Sequence, residues 1–294
     1  MPIPPAELPI RRLTISDLIA CADLAESWEW PREEHRWGLL LTAGRAYGID
    51  DPSGKGLIAA SVLNSYGSYG PESYGASTPE LSTIGMVLVA ERHARQGIGR
   101  RMMRHVMAEA ADGPLTLYAT DAGQALYEGL GFTTVASVEM FRGRLRPTGP
   151  TAVTTRPATA EDLAAIVRLD TEVFGPDRTH LLARLPAFAD QLQVAEENGV
   201  LTGYAAAWPT PEVQAIGPLV AQDTTTAQAL IAALARGTDQ SLRTTIDARH
   251  SSLIDWLGEH GLERTGSRTV MVHALDDLPG DWTRRFAPLS LAHG

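Results

Sequence analysis

Residues 94–101 (ARQGIGRR) combine two glycines with three arginines, a composition suited to holding an anion. The segment follows a β-rich run and precedes apolar residues at helical spacing, which predicts that Gly97 and Gly99 lie at a helix start. Glycine there lets the free N–H groups of the helix approach a phosphate, and the helix dipole adds attraction. We therefore predict a pyrophosphate site, the alternative being a solvated basic helix start without a ligand.

The elements that must position this segment follow one another between residues 84 and 141. A β-rich strand precedes it, and the helix after it is ended by Gly113 and Pro114. Alternating apolar residues then indicate a further strand. The predicted order is strand 84–89, helix 98–110, strand 115–119, helix 124–130 and one or two strands over 132–141. Such an order is typical of a mixed α/β fold.

Three segments of the first half recur in the second half in the same order, which indicates an internal repeat. The separation between matching positions shrinks after the first pair, so the first half is predicted to carry an inserted loop at 64–80. The tyrosines of this loop, Tyr66, Tyr69 and Tyr74, are candidates for a lid. The matching segments are 12–24 with 156–169, 84–89 with 216–220, and 126–132 with 257–262.

The repeat predicts two related α/β domains in tandem. We place the first at 1–146 and the second at 156–294. Residues 147–155, which contain prolines, a glycine and no apolar periodicity, are the predicted linker.

The strand, the Arg/Gln-Gly-x-Gly turn, the helix and the LYEGLGF segment at 126–132 together resemble the GNAT acyltransferase superfamily. The resemblance implies tandem GNAT-like domains, each with a mixed, mostly antiparallel central sheet flanked by helices. It also implies that acetyl-CoA or another acyl-CoA is the cosubstrate, with its pantetheine arm on the backbone of Val87 and Val89. Tyr127 would protonate the leaving thiolate. The implied phosphate contacts are Arg95, Gln96, Gly97, Ile98, Gly99 and Arg100.

One residue of the turn departs from the family pattern. Ala94 stands where the family has Gln or Arg, three residues before the first motif glycine. Because the predicted cradle consists mainly of backbone N–H groups, the change need not abolish it. The identity of the donor stays open between free acyl-CoA and an acyl carrier protein, which presents the same phosphopantetheine arm without the nucleotide.

The chemistry of a phenol agrees with the role that the resemblance gives to Tyr127. A free phenol has a pKa near 10, so at neutral pH it keeps a proton that it can deliver to a thiolate, whose own pKa is near 8.5. A tyrosine that only packs its ring on the sheet is the structural alternative.

An amine acceptor must lose a proton before it attacks, which calls for a general base. Candidates are Glu80, shortly before the central strand, and Glu33, Glu34 and His35 in the early helical region. The sequence does not choose among them, and each is also compatible with a solvated surface position. Together with these carboxylates, Trp28 suits a cationic acceptor, unless the aromatic residues of this region only pack a helix on the core.

The second half lacks the corresponding chemistry. Its β-rich run is followed by Asp223 and threonines in place of paired glycines, and Leu257 stands where the first half has Tyr127. An aspartate at a helix start caps the helix and repels phosphate. We predict a degenerate GNAT-like domain that supports the first, contributes to the acceptor pocket or forms a dimer contact.

Composition limits the function classes. The net charge of −10 disfavours nucleic acid as a principal partner. The single cysteine, Cys21, excludes an internal disulfide and a thiolate cluster, and no metal is expected. No apolar stretch has the length of a membrane span, and residues 1–12 do not resemble a signal peptide, so a cytoplasmic location without a membrane partner is expected.

The sequence thus predicts an N-acyltransferase that moves an acetyl or related acyl group from acyl-CoA to the amine of a small molecule. One alternative is acyl transfer from a carrier protein in a biosynthetic pathway. Another is a non-catalytic acyl-CoA-binding sensor or interaction module. A homodimer is left open.

Overall fold

The computed structural model describes residues 7–67, 80–111, 113–149 and 151–294. Two of the three tyrosines suggested as a lid, Tyr69 and Tyr74, lie outside these ranges. The chain forms two compact units. The first holds residues up to 117 with 273–275 and 293, and the second holds 118–272 with 276–292 and 294.

The first unit is a five-stranded sheet with helices on it. The strand order is β1-β2-β3-β4-β5, antiparallel except for the parallel pair β4–β5. Its elements are β1 (Arg11–Leu13), α1 (Leu18–Glu26), α2 (Glu34–Ala43), β2 (Arg45–Asp50), β3 (Leu57–Tyr66), β4 (Leu81–Val89), α3 (Ile98–Glu109) and β5 (Leu115–Ala119), whose last two residues fall in the second unit.

The helices of the first unit bury the faces that their periodicity predicts. In α3 the buried side chains are Ile98, Met102, Met103 and Val106, which repeat at helical spacing. α1 and α3 both pack on β3, whose ten residues are all buried. A strand covered on both faces reads as a continuous apolar or small-residue run, and this explains the composition of β3.

The predicted loop at 64–80 begins later than expected. β3 continues through Tyr66, which is fully buried and donates its hydroxyl hydrogen to the carbonyl oxygen of His293. Tyr66 is therefore a strand residue and does not belong to a lid. The reason is that an aromatic side chain with an interior partner favours the extended, buried state over a solvated loop.

The strands of the second unit have an arrangement of the same kind. The order is β12-β6-β11-β10-β9-β8-β7, with β13 on β10, antiparallel except for the parallel pair β10–β11. Its elements are α4 (Asp121–Glu128), β6 (Thr133–Gly143), β7 (Thr154–Pro157), α5 (Leu163–Phe174), α6 (Thr179–Leu182), α7 (Leu185–Phe188), β8 (Gln191–Glu197), β9 (Val200–Pro209), β10 (Gln214–Ala221), α8 (Thr224–Arg236), β11 (Leu242–Asp247), α9 (Ser251–Glu259), β12 (Leu262–His273) and β13 (Arg285–Ala287).

Both halves begin with the same local structure, which supports the repeat. Arg11 makes two hydrogen bonds to Asp17, of 2.7 and 3.2 Å, and Arg156 makes two to Asp162, of 2.7 and 2.9 Å. Each aspartate also closes a capping box at the start of the first helical turn. The counterpart of Arg156 is therefore Arg11, one residue before the start of the 12–24 segment.

The mixed, mostly antiparallel sheets flanked by helices confirm the predicted fold class. The compact units divide the chain after residue 117, whereas the predicted linker at 147–155 marks where the sequence similarity restarts. These are different criteria, and the domain boundaries stay a prediction. In the described part of the chain, no helix has the length and apolar character needed to cross a membrane.

Candidate active site

The turn between β4 and α3 presents an exposed helix start. Arg95 and Gly97 have positive φ angles of 59° and 79°, and Gly97 is the N-cap of α3. The first N–H groups of a helix have no acceptor within the helix. A Cβ added at Gly97 would meet nothing within 4 Å, so the backbone faces open space. This geometry suits a diphosphate, which needs several N–H donors and close approach.

The arginines around the turn differ in their partners. Arg92 is paired with Asp51 at 2.6 Å, and Ser53 together with Arg92 lowers the pKa of that carboxyl to about 2. Arg95 is exposed and has no ion pair with any residue that the structure describes. Gln96 and Arg100 are exposed as well. Positive charge at the turn is thus supplied by Arg95, which is exposed, and by the arginines at the start of α3, while Arg92 is held by Asp51.

A fork opens between β4 and β5. The parallel pairing runs from Ser82 to Ile84 and then stops, while β4 continues to Val89. Met86, with a φ of 53°, lies in a bulge against β3. Val87 and Val89 follow it and are half-buried. Their backbone groups are therefore placed along the edge of the fork, as the pantetheine prediction requires.

Trp28 lies at this edge. Its indole Nε1–H donates to the carbonyl oxygen of Val89 at 2.9 Å, and its side chain is 41% exposed. The sequence suggested Trp28 as part of an acceptor site, and the contact brings it to the strand predicted to hold the donor.

The predicted acidic candidates occupy different environments. Glu33 is buried and paired with Arg36 at 2.9 Å, and Glu34 is paired with Arg32 at 2.7 Å. Glu80 is exposed at the start of β4, and His35 is exposed on α2. The ion pairs orient the carboxylates of Glu33 and Glu34, whereas the exposed position of Glu80 gives it access to solvent.

Thr83 on β4 and Trp37 on α2 bring polar atoms into the interior of the first unit. Both residues are fully buried, and neither Thr83 Oγ1 nor Trp37 Nε1 has a hydrogen-bond partner within the part of the chain that the structure describes. Ser82, one residue earlier, bonds to Ser65 and so faces the side of Arg45 and the end of α3. By strand alternation Thr83 points to the opposite face. Buried polar atoms without partners mark places where a ligand can bind, and no sequence signal distinguished Thr83.

Tyr127 belongs to the second unit, on α4. Its ring is 9% exposed and packs against Phe132 with a centroid distance of 6.1 Å. Gly123 leaves room for the ring, since a Cβ there would lie 2.9 Å from Tyr127 Cε2. Burial raises the pKa of Tyr127 to about 12. The phenol therefore retains its proton at neutral pH, as an acid must.

Neither a metal centre nor a reactive thiol is found among the residues described. No group of three potential metal ligands occurs there. Cys21 is fully buried in α1, and burial raises its pKa to about 12. A buried, protonated thiol is a poor nucleophile.

Two family models match the chain. Both carry the description "Acetyltransferase (GNAT) domain"; one matches residues 57–134 and the other 166–287. The chain is also 29% identical over 252 residues to the uncharacterized N-acetyltransferase YitH of Bacillus subtilis, and the match spans 83% of this chain and 84% of that protein.

Solved structures share the fold. A putative acetyltransferase from Pyrococcus horikoshii has a TM-score of 0.78 at 16% identity, with 97% of this chain and 95% of that chain covered. A tandem GNAT protein from the clavulanic acid biosynthesis pathway has a TM-score of 0.60 at 15% identity, with 92% and 100% covered. At these identities the likeness shows the fold alone.

Proposed function

Because the chain belongs to the GNAT acetyltransferase family and carries two such domains in tandem, we propose that it moves an acetyl or related acyl group from acyl-CoA to the amine of a small-molecule acceptor. The observation that carries the proposal is the open glycine turn at the start of α3, which lies within the first family match. It is followed by a long helix and preceded by the fork of β4, the arrangement that an extended chain ending in a diphosphate would need.

We place the binding site of the acyl donor within residues 57–134, the first of the two family matches. Val87 and Val89 would hold the pantetheine arm through their backbone groups, and residues 95–100 would hold the phosphates. When bound, the thioester supplies an acyl group that is activated for attack by an amine. The exposed guanidinium of Arg95 adds charge attraction that a backbone cradle alone lacks.

Tyr127 is the proposed general acid. Its phenol holds a proton at neutral pH because burial raises its pKa to about 12. In the proposed step, the hydroxyl donates this proton to the sulfur as the carbon–sulfur bond breaks and negative charge develops there.

Glu80 is the proposed base. Its carboxylate is exposed at the start of β4, so it can pass a proton to solvent, directly or through water. Removing the proton of a lysine-like amine at neutral pH costs about 4 kcal/mol, and a base lowers this cost by accepting the proton during attack. Trp28, Glu33, Glu34 and His35 remain proposed contributors to the acceptor site.

The glycine turn also bears on two alternative functions, acyl transfer from a carrier protein and a non-catalytic acyl-CoA sensor. A carrier protein delivers phosphopantetheine without the nucleotide, so a diphosphate cradle at Gly97 favours free acyl-CoA. A binding module would need the cradle but not the phenol of Tyr127, so turnover separates an enzyme from a sensor.

Calorimetric titration with coenzyme A, followed by an assay of thiol release from acetyl-CoA with a panel of small amines, tests the proposal. Cys21 is the single cysteine and is buried, so a thiol reagent reports released coenzyme A. Micromolar binding with amine-dependent release is expected. No binding of coenzyme A would contradict the proposed donor, and binding without release with any amine would favour a sensor.

A further inference from the structure

The second unit repeats the fork of the first. In β4 and in β10, the parallel pairing, with β5 and β11 respectively, covers three residues. A bulge against the antiparallel neighbour, β3 or β9, follows within two residues. Aligning the two pairings places Leu219 and Ala221 of β10 where β4 has Val87 and Val89. These are the backbone positions proposed to hold the pantetheine arm in the first unit.

In the second unit these positions are taken by the chain itself. β13 lies antiparallel to β10, with Leu219 opposite Ala287 and Val220 opposite Arg285. The N–H of Ala221 donates to the carbonyl oxygen of Arg284 at 3.0 Å. No described residue of the first unit pairs in this way with Val87 to Val89 across the fork.

Side chains fix the segment in place. Gly217, at the bulge, leaves room for it, since a Cβ there would lie 2.3 Å from the carbonyl oxygen of Pro288. Phe286 is 1% exposed, and the His250 ring stacks on it with a centroid distance of 3.9 Å. His250 Nε2 also lies 3.1 Å from the carbonyl oxygen of Arg285. The segment is therefore packed as part of the core.

The helix start beside this fork is closed as well. Asp223 caps α8, and its carboxylate accepts from the N–H of Thr226 at 2.8 Å. The negative charge and the occupied N–H make this helix start unsuited to a phosphate, in contrast to the exposed glycine at the start of α3.

We propose that residues 284–289, here called the C-terminal strap, are the resident occupant of the second unit's fork, in the place where the first unit is open to an extended thioester chain. The strap satisfies by hydrogen bonding the strand edge that pantetheine would otherwise use. The chain consequently holds one acyl-thioester site, and the second unit is not an acyltransferase in its own right. The identity of the ligand in the first fork rests on the proposed function, whereas the occupancy of the second fork does not.

Amide hydrogen exchange of the full chain, with and without coenzyme A, combined with calorimetric stoichiometry, tests the strap. We expect amide exchange at 284–289 to be slower than in an unfolded chain by about a hundredfold or more, and to stay the same when coenzyme A is added. Calorimetry should give one coenzyme A site per chain. Two sites per chain, or faster exchange in the strap on adding coenzyme A, would overturn the proposal. A protected strap without any coenzyme A binding would support the strap and overturn the proposed function.

Gly217→Ala provides a second test. The added Cβ must displace the strap, so exchange at 284–289 should accelerate by about tenfold or more. The matched control is Gly258→Ala on α9, where a Cβ meets nothing within 4 Å and no acceleration is expected. Unchanged protection in Gly217→Ala would contradict the placement of the strap. If that variant does not fold, amide exchange and the coenzyme A stoichiometry of the unsubstituted chain still test the placement of the strap.

Discussion

Burial keeps the phenol of Tyr127 protonated at neutral pH. Desolvation is the cause of its raised pKa, and its ring is fixed between Gly123 and Phe132. A fixed, neutral hydroxyl is what a proton donor needs, because the proton transfer then requires no rearrangement of the side chain. The same burial would serve a purely structural ring, so kinetics must separate the two roles.

Tyr127→Phe removes the hydroxyl and keeps the ring. We expect kcat for thiol release to fall by about 10²- to 10⁴-fold, the usual contribution of a general acid, with the affinity for coenzyme A nearly unchanged. Steady-state rates and calorimetry measure both. Tyr47→Phe, which removes a hydroxyl bonded to Glu109, is the control and should keep its kcat. Full turnover in Tyr127→Phe would show that another group protonates the thiolate.

The pH profile gives an independent check on Tyr127. An acid works only while protonated, so a pKa of about 12 leaves it active through pH 10, while the acceptor amine becomes more reactive as pH rises. We expect kcat/KM, measured from pH 6 to 10, to rise without a descending limb. The raised pKa of Tyr127 also makes the stability of the fold depend on pH. Its contribution to the free energy of unfolding is fully present below about pH 10 and is lost as the pH rises towards 12. A descending limb near pH 8 would assign the acid to another group.

Trp28→Phe tests whether the indole contact to Val89 serves the donor. It removes the Nε1–H and keeps an aromatic ring. Loss of one hydrogen bond is worth about 1 kcal/mol, so we expect KM for acetyl-CoA to rise by about fivefold and KM for the acceptor to stay the same. Trp282→Phe, a comparably exposed tryptophan of the second unit, is the control. A change confined to KM for the acceptor would indicate that Trp28 contributes to the acceptor site and not to donor binding.

At the scale of elements, two separate properties of the turn before α3 call for glycine at position 97, a positive φ and open space around the backbone. A φ of 79° is strained for any residue with a Cβ, and the open space around Gly97 is needed only if a ligand enters it. Gly54, between β2 and β3, has nearly the same φ of 77° and equally open surroundings. The pair therefore separates strain from binding.

Gly97→Ala and Gly54→Ala should destabilise the protein equally, by about 1 kcal/mol each, because both place an alanine in the left-handed region. Only Gly97→Ala should weaken coenzyme A binding, and we expect at least about a tenfold loss because the methyl group enters the phosphate cradle. Thermal unfolding and calorimetry give the two quantities. Equal coenzyme A affinity in both variants would rule out the turn as the phosphate site.

At the scale of the whole molecule, the second unit combines a match to the GNAT family with a fork that the strap occupies. Its interior contains a charged cluster: Asp170 accepts two hydrogen bonds of 2.7 Å from Arg178 and one from the hydroxyl of Tyr204. All three side chains are almost fully buried. Arg178 also donates to the carbonyl oxygen of Gly294 at 3.0 Å, so the cluster holds the segment that follows the strap.

Asp170→Asn leaves the buried guanidinium of Arg178 without its counter-charge. We expect a loss of about 3–5 kcal/mol in the free energy of unfolding of the second unit, measured by urea titration with tryptophan fluorescence. Glu212→Gln, which breaks the exposed pair with Arg142, is the control and should change stability by less than about 1 kcal/mol. A small effect of Asp170→Asn would mean that the cluster contributes little to the fold.

The sequence by itself determined the local elements and the repeat. Apolar spacing predicted α3, and matching segments predicted two copies of one fold, since periodicity and turn residues are properties of neighbours in the chain. The same matching aligned Ile84 with Ile216. In the structure each of these residues is the last one in the parallel pairing of its strand, Ile84 with Leu117 and Ile216 with Thr244. The glycine turn could be predicted as a candidate site because its chemistry is contained in eight consecutive residues.

Only the tertiary structure decided which distant residues meet. The contact of Trp28 with Val89 joins positions 61 residues apart, and the strap reaches β10 from the far end of the chain. The burial of Glu33 and of Tyr66 likewise depends on what packs around them. Local patterns specify which face of an element is apolar but not which partner covers it. That choice is made by long-range packing, where burial and hydrogen bonding are satisfied together.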